Sequence, residues 1–207
     1  MSSVIKINHM RFNKNIFSSL LVAIFVLSAV VLTAQNGYQI GSNQEFMVSG
    51  TSTLHDWDMV SDGANGQAIF LVENGEILEI QYLFVELPVK SLKSGNSRMD
   101  RTAYSAIDAD KHNYVHFQLT GVRNITPRQI LADGNLTIAG ATHPVTLRTN
   151  YTVNGSSVQF SGAQKITFSQ FDVRPPTAMF GTVRTGDELN IAFDVSFNPS
   201  SSTITRR

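Results

Sequence analysis

The sequence contains no cysteine, so no disulfide framework staples it and its stability must come from a core of its own. It has no basic surplus either: 16 Lys and Arg balance 16 Asp and Glu. Lys6, Arg11 and Lys14 are the only such charges among the first 34 residues, which leaves 13 basic against 16 acidic residues and a formal charge of −3 on the remainder. A nucleic-acid partner would need a Lys/Arg stripe, and this balance excludes one. Ser94-Gly95 and Ser161-Gly162 lack the GxSxG elbow, and no Ser stands in a recognisable nucleophile setting. There is no phosphate-cradling glycine loop, no dinucleotide fingerprint, no internal repeat and no low-complexity linker.

The first 34 residues read as an address. A basic head of Lys6, Arg11 and Lys14 precedes an apolar run from Ile16 to Leu32, and Thr33-Ala34 supplies a small residue before Gln35. This is the pattern of a secretory signal peptide, and it implies a periplasmic or secreted protein without stable membrane insertion of the mature chain. An uncleaved anchor is the competing reading, because the run borders on a spanning length. Residues 35–198 then form one domain within a mature part of about 170 residues, and the polar stretch PSSSTITRR from Pro199 to Arg207 is expected to be a flexible tail.

Alternating apolar and polar residues dominate the domain. Strand-like segments fall at Tyr38–Val48, Gly50–Met59, Gly66–Val72, Ile77–Val89, Tyr114–Val122, Ile130–Ala139, His143–Val153, Ser157–Phe168 and Leu189–Phe197. Asn74-Gly75 and Asn154-Gly155 mark hairpins, and Asp133-Gly134 marks a tight turn or a bulge. In the last segment Leu189, Ile191, Phe193, Val195 and Phe197 share one face while Asn190, Ala192, Asp194 and Ser196 share the other. An antiparallel sheet with one dry face follows. The predicted class is all-β: about eight or nine strands closed into a barrel, which leaves no edges. A two-sheet sandwich is the competing architecture.

One stretch breaks the alternation. Met99, Ala103, Ala106 and Ile107 recur at helical spacing, with Ser97 as the expected N-cap and Asp100 in the first turn. A lone helix among strands is expected to cap an end of the barrel. A barrel of this size has room for its own side chains or for one ligand, and the ten of the thirteen Phe residues that lie beyond residue 34 suit either use.

Among polar candidates, His55, Asp56, Trp57 and Asp58 lie together, with alternation placing His55 and Trp57 on one face. His55 could meet a ligand head group or a metal; a hydrogen-bonded structural histidine is the favoured reading. His112 and His116 are four apart, but at a strand start that spacing separates their side chains too far for one ion. No cofactor or metal is expected.

The motifs GTSTLHDW (Gly50–Trp57), LKSGNSRMD (Leu92–Asp100), AIDADKHNYVHF (Ala106–Phe117), GNLTIAGATHPVTL (Gly134–Leu147) and FDVRPPTAMFGTVRTGDELNIAFDV (Phe171–Val195) occur in this order. Together they resemble the YceI-like family, in its shorter variant in which HDW follows the first strand. The resemblance implies an exported, lipocalin-like barrel that is not an enzyme and holds a polyisoprenoid chain.

On that reading the candidate lining residues are Phe46, Val48, Trp57, Val115, Phe117, Leu119, Leu136, Ile138, Val145, Leu147, Phe160, Phe168, Ile191, Phe193 and Val195. Met99, Tyr104 and Ile107 on the helix, with Met179 and Phe180, would gate the mouth. Ordinary core packing is the alternative role for each. The expected partner is a long-chain isoprenoid or another apolar small molecule. A ligand-free structural or interaction barrel, or a metal-dependent hydrolase built on the His55–Asp58 cluster, are the competing functions.

Overall fold

The computed structural model describes residues 37–200; the predicted signal peptide and the tail beyond Ser200 lie outside the described residues. Ten strands and one α-helix follow in order: β1 (Gly37–Ser52), β2 (Trp57–Ser61), β3 (Asn65–Glu73), β4 (Glu76–Pro88), α1 (Ser97–Ala106), β5 (Tyr114–Thr126), β6 (Gln129–Ile138), β7 (Ala141–Asn154), β8 (Ser157–Thr167), β9 (Thr177–Ala178) and β10 (Val183–Ser200). Short 3₁₀ turns span Val89–Ser91, Ser169–Phe171 and Met179–Gly181.

The sheet is antiparallel and closed. Hydrogen-bonded neighbours run β1-β3-β4-β5-β6-β7-β8-β10, and β10 returns to β1 along nearly its whole length, from Gly37 opposite Ser200 to Ser52 opposite Thr185. This is an eight-stranded barrel, with β2 added on β1 and β9 on β10. Closure removes the exposed edges that a sandwich would have had to protect. The last strand includes Pro199 and Ser200, paired with Tyr38 and Gly37.

Alternate connections lie at opposite ends. Tight hairpins at one end join β3 to β4, β5 to β6 and β7 to β8. The first is the expected Asn74-Gly75 turn, with both residues at positive φ, as a type I′ turn requires. The opposite end carries the β1–β2 turn, α1, the Ala139-Gly140 turn and the segment 168–182.

Three local expectations are corrected. Gly50–Met59 is not one strand: the Ser52 hydroxyl accepts from the amides of Leu54 and His55 and donates to the His55 carbonyl, and this turn separates β1 from β2. The cap of α1 is Asn96 rather than Ser97; its extended backbone lets Oδ1 accept from the amides of Arg98 and Met99, which are otherwise without intrahelical partners. Asp133-Gly134 lies inside β6. The irregularity there belongs to β5, where Thr120 is an extra residue between the pairs Leu119–Gly134 and Gly121–Asp133.

The interior divides into two regions. At the hairpin end Tyr38, Phe70, Tyr151, Phe160 and Phe197 are all nearly or fully buried and pack on Ile77, Ile130 and Val158. Phe70 meets Tyr38, Phe160 and Phe197 at centroid distances of 4.9, 5.5 and 5.7 Å, in the tilted and edge-on arrangements that aromatic quadrupoles favour. The Tyr151 hydroxyl reaches across to accept from the Ile77 amide at 3.3 Å. This end is filled.

Candidate functional site

Above the aromatic plug the barrel is hollow. A cavity of about 520 Å³ extends from Phe160 and Phe197 up to a rim formed by Leu54, His55, Arg98 and Met179. Its wall comes from every strand of the barrel except β3, and from α1. The helix contributes Met99, Thr102, Ala103, Ala106 and Ile107, the three-and-four spacing of one face.

Aromatic rings in this half lie against glycines of the neighbouring strand. A Cβ on Gly134 would stand 2.3 Å from the Phe117 ring, one on Gly50 would stand 2.6 Å from the Trp57 ring, and one on Gly162 would stand 2.8 Å from the Phe193 ring. Each glycine therefore seats a ring flat on the wall. The same bulk projected along the axis would fill the hollow. This also explains the GTSTLHDW motif, because Gly50 and Trp57 are register partners between β1 and β2, and the indole N–H donates to the Thr51 carbonyl at 3.1 Å.

The ladder is incomplete in three places: β1 and β3 pair only over Gly37–Gln39 and Gln67–Ile69, and two further gaps follow. β4 and β5 pair only over Phe84–Pro88 and Tyr114–Gln118, and β7 and β8 pair only over Thr149–Asn154 and Ser157–Gly162. Toward the mouth β7 and β8 part, and the Ser169–Phe171 turn packs on both. Phe171 is 1% exposed and meets His143 edge-on at 5.2 Å.

Of the candidate lining residues, Phe46, Val48, Trp57, Met99, Ile107, Val115, Phe117, Leu119, Leu136, Ile138, Val145, Leu147, Phe160, Phe168, Met179, Ile191, Phe193 and Val195 all border the cavity. Tyr104 and Phe180 do not. The Tyr104 hydroxyl donates to the Leu92 carbonyl at 2.5 Å and accepts from Lys93 Nζ at 2.9 Å; that hydrogen bond is the main reason the Lys93 pKa lies above its usual value. Tyr104 is thus a strut between α1 and the loop before it, and not a gate. Phe180 is fully exposed and has φ of 56°.

Sequence reasoning missed the inner face of β4. Ile80, Leu83, Val85 and Leu87 line the cavity, and the odd step from 80 to 83 has a cause. Gln81 is an extra residue between the pairs Phe70–Ile80 and Ile69–Tyr82, so the inward face changes parity there. Alternation counted through that point gives the wrong face.

The polar candidates disperse. His55 is exposed at the rim, with Nδ1 2.6 Å from the Asp56 carbonyl oxygen. His112 packs on Gly140, whereas His116 stacks between Phe84 and Tyr114 at 5.6 and 5.9 Å. Among the described residues, no group of three His, Asp or Glu side chains is placed to hold a metal ion. Buried Asp100 fixes the entry to α1: its Oδ1 accepts from the Ser94 hydroxyl at 2.6 Å and the Ser94 amide at 2.9 Å. Those bonds to the charged form, led by the hydroxyl, hold its pKa below the usual carboxylate value.

The model of the YceI-like domain matches residues 38–197, which is the whole barrel. The chain belongs to the YceI-like family. Solved structures agree on the fold of this family member. The crystal structure of Burkholderia cenocepacia BcnA is 19% identical, has a TM-score of 0.62, and the match covers 74% of this chain and 95% of that one. A polyisoprenoid-binding domain from Saccharophagus degradans, implicated in plant cell wall breakdown, is 6% identical with a TM-score of 0.61, and covers 80% and 99%. The Campylobacter jejuni YceI protein is 20% identical with a TM-score of 0.54, and covers 66% and 82%. None of the curated proteins compared matches the chain. Among the described residues, no helix of this YceI-like protein is long and apolar enough to cross a membrane.

Proposed function

We propose that this YceI-like protein is a non-catalytic binder that carries a long apolar lipid, a polyisoprenoid, in the hollow half of its barrel. The observation that carries the proposal is the cavity: about 520 Å³, inside the roughly 300–1,000 Å³ range of small-molecule sites, with a wall dominated by Val, Leu, Ile and Phe. Among the described residues, Arg98 at the rim is the only Lys or Arg that borders it. An apolar chain gains roughly 0.8 kcal/mol for each methylene-sized unit it buries, so such a wall provides affinity without a catalytic group. The polyisoprenoid-binding description of the Saccharophagus degradans domain, which shares this fold, supports the choice of lipid.

The basic head and apolar run of the first 34 residues support export to the periplasm or beyond, where a lipid moving between membranes needs a carrier. Organic extraction of the purified protein followed by mass spectrometry tests the reading. Recovery of a prenyl lipid in stoichiometric amount is the expected result. Repeated recovery of nothing, together with failure of added prenyl lipids to bind, would return the barrel to a ligand-free interaction role.

A further inference from the structure

The wall of the cavity is interrupted by two uncharged polar side chains at its deep end. Thr149 on β7 is 8% exposed, borders the cavity, and stands two residues from Tyr151 of the aromatic plug. Among the described residues, no protein group hydrogen-bonds to its hydroxyl. That hydroxyl, one donor and two acceptor sites, is therefore available to whatever occupies the cavity it borders.

Gln164 on β8 faces the same cavity. Its Nε2 donates to the Lys165 carbonyl at 2.9 Å, and among the described residues its carboxamide oxygen accepts from no protein group. Thr149 pairs with Gly162, and Gln164 is the next inward residue after Gly162. They flank the point at which β7 and β8 cease to pair.

Resting on the carrier reading, we infer that Thr149 and Gln164 form a subsite for a neutral oxygen function, a hydroxyl or carbonyl, at the end of the lipid that enters first. The Thr149 hydroxyl donates to that oxygen, and the Gln164 carboxamide oxygen accepts from it when it bears a proton. A phosphate or pyrophosphate is a poor occupant, because among the described residues no Lys or Arg borders this depth to offset its desolvation. The lipid therefore sits head-down, with its apolar tail toward the helix and rim.

The single tryptophan, Trp57, borders the cavity near its mouth and reports occupancy by its fluorescence. Titration of the purified protein with geranylgeraniol, with the hydrocarbon of the same skeleton and with geranylgeranyl pyrophosphate tests the subsite. The alcohol is expected to bind about tenfold more tightly than the hydrocarbon, the worth of one satisfied buried hydrogen bond. Thr149→Val and Gln164→Met should each cut that preference to within about threefold while leaving hydrocarbon affinity intact, which also shows that the variants fold. Equal affinity of alcohol and hydrocarbon in the unmodified protein would overturn the subsite but leave the carrier. Tighter binding of the pyrophosphate, unmoved by either substitution, would overturn it in favour of a head group at the rim. Failure of alcohol and hydrocarbon alike would overturn the carrier reading itself.

Discussion

The two ends of this barrel use the same residue types for opposite purposes. At the hairpin end, Tyr38, Phe70, Phe160 and Phe197 meet ring to ring, with Phe160 and Phe197 edge-on at 5.8 Å. At the other end, Trp57, Phe117 and Phe193 lie over Gly50, Gly134 and Gly162. Aromatic count therefore says nothing about whether a barrel is filled. What matters is whether a ring faces another ring or faces a residue with no side chain.

This contrast can be broken at either end. The largest expected effect is Phe197→Ala, which removes a ring 1% exposed from the plug; a loss of about 3–5 kcal/mol is expected from transfer and cavity terms, measured by urea unfolding. Next comes Gly134→Val, whose side chain collides with the Phe117 ring and the Gln118 carbonyl. Overpacking of this kind costs roughly 1–3 kcal/mol, and the displaced ring should lower affinity for a prenyl probe. A fall in stability with unchanged affinity would show that Phe117 moves outward instead.

Smaller effects sharpen the contrast. Leu147→Trp adds bulk to the hollow wall; because space is available there, stability should change by less than about 1.5 kcal/mol while prenyl-lipid binding falls at least tenfold. A large loss of stability without loss of binding would mean that the hollow lies elsewhere.

Asp100→Asn should loosen the entry to α1 and leave the plug intact. Because the folded pKa of Asp100 is lowered, its stabilising contribution is present above the unfolded value of about 3.9 and is lost as pH falls through the folded value. Amide exchange around Ser94 should therefore speed up on acidification in the unmodified protein and lose that acid dependence in the variant. Smallest of all, Phe180→Ser at the exposed rim should alter stability by no more than about 0.5 kcal/mol, read from the melting temperature.

The strand pattern and the single helix were legible because period-2 and period-3.6 repeats differ sharply in residues such as Leu189–Phe197 and Met99–Ile107. The family motifs were legible for a related reason, since Gly50, Trp57 and Gly134 sit where only a particular size fits. What the sequence hid were the places where the period slips. Leu78 and Gln81 in β4, and Thr120 and Arg123 in β5, each insert one residue without any change of composition, and the inward positions between the two members of each pair are displaced by one. Tyr104 was misplaced for another reason: it has helical spacing with the inner face, but its hydroxyl is drawn away by Leu92 and Lys93. The void itself is invisible in any one-dimensional pattern, because it depends on which rings lie across which glycines.

The ring of strands is completed by the ladder between β1 and β10, where the side chains of Asn43 and Ser196 meet although 153 positions separate them. Such remote pairings form slowly, since the intervening chain must first be ordered. During synthesis the opening strand waits for a partner that emerges at the far end of the domain. Until then the chain is an unclosed ribbon whose oily faces and unpaired edges are open to aggregation.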